Sequence, residues 1–442
     1  MVETRPKIRK RLVLFFIVVI FLNFLLFLIR WTDTIDYLFL FLTFKTNNGE
    51  SWYFMNLALD YLSTHNKGQL YEHIFFDGKN KFQYPPTSLL FLNILYTIFG
   101  RSSKVLLFIS WFSVILSILF SIFIFRKFGV VLGYISKQWK GNNGHNSYFI
   151  DNFVLPVLLI LLSLSFYPLL KSFSLGQIQS WLNALFAILF YCWIRNWQEA
   201  AGILLGIMCL IKPQYLLIAL WGIMRRKFKF IILFLTIFVS GLFISCLFFG
   251  IKNHLGYFKV LSFLSLHGES FYPNQSMNGL LNRLIFNGNI LEWEPHAFPP
   301  YNGLVYFGTI FFAIALVSAA FILPVKHKKE RTIVDFAIIS LVSTMISPIA
   351  WEHHYGILLP IYAFLIPHSL QREVLGKLTL VYLWLSYFLS SNFIIIFNKF
   401  AYKPYLNIIL SYLFFAAVMV LIYLFLLLPD KDKNNIQVDF RN

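Results

Sequence analysis

Charge is what this chain lacks. Only 13% of its 442 residues are Asp, Glu, Lys or Arg, and the acids are the scarcer kind, 19 against 37 basic residues. So few charges cannot cover the surface of a soluble domain of this length. With 58% hydrophobic residues and a mean hydropathy of +0.69, the composition is that of a polytopic membrane protein. Cysteine is scarce as well. Cys192, Cys209 and Cys246 all lie within apolar runs and show no paired spacing, which excludes a disulfide framework and a thiolate metal site. No internal repeat is visible, which argues against the inverted repeats common in transporters.

The excess of base, net +18, would suggest nucleic acid as partner in a soluble protein. Here the basic residues fall in short clusters between apolar runs: Arg126-Lys127 through Lys140, Arg195, Arg225 to Lys229, Lys326 to Arg331, and Lys431 to Lys433. That is the pattern of cytoplasmic loops, so the expected partner is a lipid bilayer and not nucleic acid. Residues 1–11, with Arg5, Lys7, Arg9, Lys10 and Arg11, read as a basic cytoplasmic N-terminus. The apolar stretch from Leu12 to Ile29 reads as an uncleaved first transmembrane helix.

Twelve further apolar segments follow, at 87–99, 104–125, 150–170, 178–194, 200–211, 214–224, 230–249, 303–323, 333–350, 355–367, 378–397 and 405–428. Helix is the natural assignment, because backbone groups in lipid must be satisfied within their own segment. Thirteen spans cannot place both charged termini on the cytoplasmic side, and 87–99, short and entered through Pro85-Pro86, is the one taken as re-entrant. The pair 200–224, broken at Lys212-Pro213, reads as a short hairpin. The expected fold is therefore an all-α transmembrane domain over 12–428, with about 12 transmembrane helices and a re-entrant segment. Large extracytoplasmic loops at 31–86 and 250–302 and a charged cytoplasmic tail at 429–442 complete it.

Polar groups kept inside or beside such a chain are costly and mark cavities or substrate sites. They are Glu50 with Tyr53, Tyr84-Pro85-Pro86, Gly176-Gln177, Lys212-Pro213, Asn274-Gln275-Ser276 and Trp351-Glu352-His353-His354. Lys212 at a helix break and His353-His354 beside an apolar segment could face an anionic group. No third His, Cys or carboxylate stands at ligand spacing to the histidines, so no metal and no other cofactor is expected. Asp430-Lys431-Asp432 has the Asp-x-Asp form of metal-binding sugar-nucleotide enzymes but lies in the cytoplasmic tail, opposite the proposed site. Asn274-Gln275-Ser276 fits a glycosylation acceptor pattern, and reads better as part of a polar loop closing over substrate.

Several of these stretches, in order, resemble glycosyltransferase family 87. They are Gly68-Gln69-Leu70-Tyr71 with Phe82-Gln83-Tyr84-Pro85-Pro86, Ser174-Leu175-Gly176-Gln177, and Ala201-Gly202-Ile203-Leu204-Leu205-Gly206 leading to Ile211-Lys212-Pro213. Asn274-Gln275-Ser276 and Ser347-Pro348-Ile349-Ala350-Trp351 with His353-His354 complete the series. The family comprises polyprenyl-phosphate-dependent enzymes of the GT-C type, among them mannosyltransferases of phosphatidylinositol mannosides.

The resemblance implies transfer of a hexose, mannose first, from a polyprenyl-phosphate sugar donor to a lipid or cell-envelope glycan acceptor. The active site would be extracytoplasmic, in a bacterial plasma membrane, and the reaction inverting. It implies Glu50 as catalytic base, with Asp33, Asp36 and Asp60 as alternatives, because the family places an aspartate a few residues before a tyrosine where this chain has Glu50 and Tyr53. Tyr53, Gln177, Lys212, Asn274, Gln275, His353 and His354 would bind substrate. Two other classes share many of these features: a transporter or flippase of lipid-linked glycans, and a glycan polymerase with one large outer loop.

Overall fold

The computed structural model describes residues 5–29, 31–47, 49–64, 68–131, 153–326, 332–369, 376–403 and 405–428. The tail at 429–442 with its Asp430-Lys431-Asp432 triplet, and the basic stretches 132–140 and 327–331, lie outside the described residues. Among those described there is helix throughout and no strand, only two isolated bridges, one of them joining Asn274 to Trp351.

The chain opens with α1 (Arg5–Leu28), the short α2 (Thr34–Leu42) and α3 (Glu50–Thr64), then α4 (Leu89–Phe99) and the long α5 (Ser103–Val131). Next come α6 (Leu155–Leu164), α7 (Tyr167–Ser174), α8 (Gln179–Ile194), α9 (Gln198–Ile211), α10 (Leu216–Met224), α11 (Phe228–Phe249) and α12 (Ile251–His267). The remainder is α13 (Met277–Leu284), α14 (Gly303–Lys326), α15 (Thr332–Met345), α16 (Leu358–Ser369), α17 (Gly376–Ser391) and α18 (Tyr412–Leu426).

Four helical stretches are long and apolar enough to cross a membrane: Ser103–Gly129, Phe228–Phe249, Gly303–Val325 and Asn407–Leu426. A fifth is added if α6 and α7, bent by 50° at Ser165-Phe166, count as one broken span. The other apolar helices have 10–17 residues, short of the roughly 20 that a straight crossing needs. Many apolar runs of the sequence are therefore interrupted helices. Pro213 breaks 198–224, and residues 346–351 separate α15 from the 3-10 turn Glu352–Ile357 that leads into α16. The segment after Pro85-Pro86 is the eleven-residue α4, about 16 Å long.

The outward face of α11 carries Ile232, Leu235, Val239, Phe243 and Leu247, all exposed and three or four residues apart, and α14 does the same with Phe307, Phe311 and Ile314. Apolar stripes of this kind need lipid against them. The centre of the bundle is α8, whose Leu182, Phe186, Leu189, Phe190 and Trp193 are buried. Trp193 stacks on Phe336 at 4.9 Å between ring centroids.

Packing of α9 on α11 depends on absent side chains. A Cβ on Gly202 would lie 2.2 Å from the Phe230 carbonyl oxygen, and one on Gly206 would lie 2.8 Å from Ile237. Gly222 at the end of α10 also abuts Phe230, so both arms of 198–224 return to the same level of α11, as a hairpin does. Its tip is Lys212.

Candidate active site

Residues far apart in sequence meet at the start of α8. A Schellman motif delivers them: the Gly176 N–H donates to Phe173 O at 2.9 Å and the Gln177 N–H to Ser172 O at 2.9 Å, closing α7. The residue after the helix must then be left-handed. Gly176, at φ +60°, supplies that conformation without a Cβ clash.

Gln177 holds the first half of the site. Its Nε2 donates to Glu50 Oε2 at 2.7 Å, while its Oε1 accepts from Ser51 Oγ at 2.5 Å and from Tyr84 Oη at 3.3 Å. Glu50 is half-buried in the first turn of α3, where the helix end favours a carboxylate, and its own N–H donates to Leu175 O at 3.1 Å. Tyr84 is fixed in turn, since Tyr71 Oη donates to its carbonyl at 2.6 Å. The Glu50, Gln177 and Tyr84 clusters of the sequence are thus one network.

Gln179, two residues on, holds the second half. Lys212 Nζ donates to Gln179 Oε1 at 2.7 Å and lies 2.6 Å from His354 Nε2. Lys212 is extended (φ −135°, ψ 104°), as the residue before a proline should be, and this turns its side chain off the end of α9. With Lys212 donating to Nε2, the neutral His354 ring carries its proton on Nδ1, a buried atom with no hydrogen-bond partner. Gln179 Nε2 also donates to Asn183 Oδ1 at 3.0 Å, and Asn183 Nδ2 to the His353 carbonyl at 3.2 Å. The His353 and His354 rings meet edge to face at 4.9 Å.

Asn274, Gln275 and Ser276 are fully buried and spend their side chains on backbone. Asn274 donates to Glu269 O (2.8 Å) and Pro348 O (3.0 Å) and accepts from Ala350 N at 2.9 Å. Gln275 Nε2 donates to Tyr272 O and Leu410 O, and Ser276 caps α13 by accepting from Gly279 N. These residues clamp the strip that leads into His353-His354.

Tyr53 lies apart from the network. It is 61% exposed and its ring meets Phe54. Asp60 is three turns down α3 from Glu50, paired with Arg101 at 2.5 Å. Asp33 precedes α2 and Asp36 lies in its first turn; Lys171 of α7 bears electrostatically on Asp33.

Several participants carried no signal of their own in the sequence. Ser51, Gln179 and Asn183 are polar residues on helices whose neighbours are not fixed by spacing. Glu352, which the sequence did single out beside the histidines, is buried and accepts from Tyr167 Oη at 2.5 Å, with its Oε1 unpartnered. In the connecting segments before α4 and after α12, Lys81 Nζ donates to Glu269 Oε2 at 2.7 Å, both buried. Burial pushes the Glu269 carboxyl up and the Lys81 ammonium down from their ordinary pKa values, and each partner opposes the other's shift. Among the described residues no group of three or more His, Cys, Asp or Glu could hold a metal ion.

A helical membrane protein whose carboxylate, amides, lysine and histidines converge at one helix end has the parts of a group-transfer enzyme. The sequence profile of glycosyltransferase family 87 matches residues 82–348, more than half of the chain. The chain belongs to glycosyltransferase family 87 and is a membrane glycosyltransferase. Gln177, Lys212, Asn274 and Gln275 fall inside the matched range, whereas Glu50, Tyr53, His353 and His354 flank it. No curated protein and no solved structure matches the chain significantly.

Proposed function

We propose that the protein transfers a hexose, mannose in the first instance, from a polyprenyl-phosphate donor to a lipid or cell-envelope glycan acceptor. The reaction takes place on the extracytoplasmic side of a bacterial plasma membrane, within a GT-C type bundle of about twelve spans in which α4 is re-entrant. Glu50 takes the proton of the attacking acceptor hydroxyl. The acceptor oxygen bonds to the anomeric carbon from the face opposite the phosphate, which inverts that centre. The bond from the anomeric carbon to the phosphate oxygen breaks and its electron pair leaves with the lipid phosphate. Lys212 and His354 meet that charge, Lys212 with its remaining N–H and His354 with its unpartnered Nδ1–H.

The observation that carries this reading is the span from Gln177 to Gln179. One end of it holds the Glu50 carboxylate and the other Lys212 with His354, which supports a base and an anion site on either side of one helix start. The test is transfer of radiolabelled sugar from synthetic polyprenyl-phosphate mannose to a membrane lipid extract, wild type beside Glu50→Gln, with membrane insertion checked in parallel. Transfer by wild type alone is expected. Transfer by both would move the base to Asp33, Asp36 or Asp60. Silence from both across several polyprenyl-phosphate sugars would turn the assignment toward a carrier.

A further inference from the structure

The α9–α10 hairpin carries Lys212 at its tip, and its base lies one length of α9, about 21 Å, away from that tip. Two corners of the same build meet at the base. α8 closes by a Schellman motif in which the Asn196 N–H donates to Trp193 O at 3.0 Å and the Trp197 N–H to Cys192 O at 2.8 Å. α10 closes by another, with the Arg226 N–H donating to Ile223 O at 3.0 Å and the Lys227 N–H to Gly222 O at 2.9 Å. The left-handed residue is Asn196 (φ +59°) in the first and Arg226 (φ +55°) in the second. Asparagine tolerates that conformation, whereas arginine carries a Cβ strain there that glycine would avoid. A side chain kept at such a position points to a use for it.

The two corners touch. Trp193 packs on Phe230 at 5.4 Å between centroids, Lys227 Nζ is 5.9 Å from the Trp193 ring centroid, and Lys229 pairs with Glu199 at 3.2 Å. Arg225, beside Arg226, pairs with Asp335 at 2.7 Å. Among the described residues neither Arg195 nor Arg226 has a carboxylate within ion-pair distance. The Arg195 guanidinium lies 5.4 Å from the Trp197 ring centroid.

Apolar side chains share this level. Trp197, Met224 and Phe228 are exposed, and Phe228 begins the stripe that runs on through Ile232 and Leu235 along the lipid face of α11. Arginines and an exposed tryptophan at the end of a lipid-facing stripe stand where phospholipid phosphates lie. A soluble anion or an acidic peptide would leave Met224 and Phe228 uncovered, whereas a phospholipid covers them with its chains.

We propose that this double corner binds the phosphate headgroup of an anionic phospholipid. Arg195 and Arg226 take the phosphate, a group the planar guanidinium suits, and Trp197, Met224 and Phe228 lie against the acyl chains. The site joins the turn before α9 to the end of α10, which are the two feet of the Lys212 hairpin.

The test is a titration of the full chain in an uncharged detergent with phosphatidylglycerol and with phosphatidylcholine of the same acyl chains, read by native mass spectrometry. Wild type is expected to bind phosphatidylglycerol about tenfold more tightly than phosphatidylcholine. Arg195→Gln with Arg226→Gln should bring the two lipids level. Lys399→Gln with Lys403→Gln removes the same charge elsewhere and should leave the preference intact. Glycerol phosphate, which has the anion without the chains, should not displace the lipid at equal concentration. Equal affinity for both lipids in wild type, an unchanged preference in the arginine variant, or an equal loss in the lysine variant overturns the proposal. Displacement by glycerol phosphate overturns it too, in favour of a soluble anion. Unfolding curves without added lipid establish that the variants are folded, and the wild-type arms decide the matter alone where one is not. No sugar transfer enters the readout, so the result stands apart from the donor and the acceptor.

Discussion

Lys81 and Glu269, 188 residues apart in sequence, form an ion pair of 2.7 Å whose side chains are 2% and 5% exposed. The Lys81 ammonium also lies 3.9 Å from the Trp293 ring centroid and 4.3 Å from that of Phe298. Three residues after Lys81 comes Tyr84, which bonds Gln177, and five after Glu269 comes Asn274, which pins the strip before His353. The pair therefore ties the Glu50 half of the candidate site to the histidine half.

Removing one partner of a buried pair strands a charge, and Lys81→Met or Glu269→Gln alone should cost about 3–5 kcal/mol. The double variant should lie closer to wild type than either single one. In Lys81→Met the Glu269 carboxyl, already raised above 4.5 by burial, loses the ammonium that opposed the rise. A raised folded-state pKa gives stability that is full below the unfolded value and is lost as pH climbs through the folded one. Thermal unfolding of Lys81→Met should therefore show a more stable protein near the ordinary carboxylate pKa than at neutral pH, more steeply so than wild type. A flat profile would remove the stranded carboxylate as the cause.

Gly202→Ala should destabilise the bundle by about 1–3 kcal/mol, because its Cβ would press on the Phe230 backbone and force α9 off α11. Gly256→Ala is the control. The nearest atom to its Cβ would be Tyr71 Cδ2 at an ordinary 3.4 Å, so helix propensity should dominate and leave stability unchanged or slightly raised. Thermal unfolding in detergent compares them, and equal losses would remove close helix approach as the explanation.

The ingredients of the site were legible because polar side chains in an apolar chain have few reasons to persist. Glu50, Tyr84, Gln177, Lys212 and His354 stand out on that ground alone, and the structure brings them to one helix start. Their partners were not legible. Nothing in the spacing says that Lys81 meets Glu269 or that Gln179 bridges to Lys212, since those contacts depend on which loops fold over which. The same limit applies to Asn274-Gln275-Ser276, which reads as a substrate loop yet spends its hydrogen bonds on backbone. The helical class followed from composition. The internal division of the apolar runs was legible only in places: Pro213 marks its own break, whereas the bend at Phe166 does not, and among the described residues four helices, or five with the bent pair, are long and apolar enough to cross alone.

Asn274→Ala should loosen the strip from Pro348 to His354. It removes bonds to Glu269 O, Pro348 O and Ala350 N, at a cost of about 1–3 kcal/mol for the buried groups left unpaired. Asn274→Asp keeps the acceptor for Ala350 and loses both donors, so it should not restore wild-type stability. Unfolding measured beside transfer activity checks this, and full stability in both variants would show that the strip holds without Asn274.

Lys212 offers the sharpest test of the proposed phosphate leaving group. Of its three N–H groups one is directed at Gln179 and one at His354, which leaves one for an anion. Lys212→Gln should lower kcat by about 10²–10³ if that ammonium stabilises the departing phosphate, with the acceptor KM unchanged. Lys212→Arg should not rescue it, because a guanidinium is bulkier and holds all its N–H groups in one plane, whereas the compact ammonium meets Gln179 at 2.7 Å and His354 at 2.6 Å and still turns a third N–H toward an anion. Gln179→Ala keeps the charge and loses one of its guides, so its kcat should fall less than that of Lys212→Gln. Steady-state transfer kinetics for the three variants give that ordering, and a Lys212→Gln enzyme with wild-type kcat would hand the phosphate to His353 and His354.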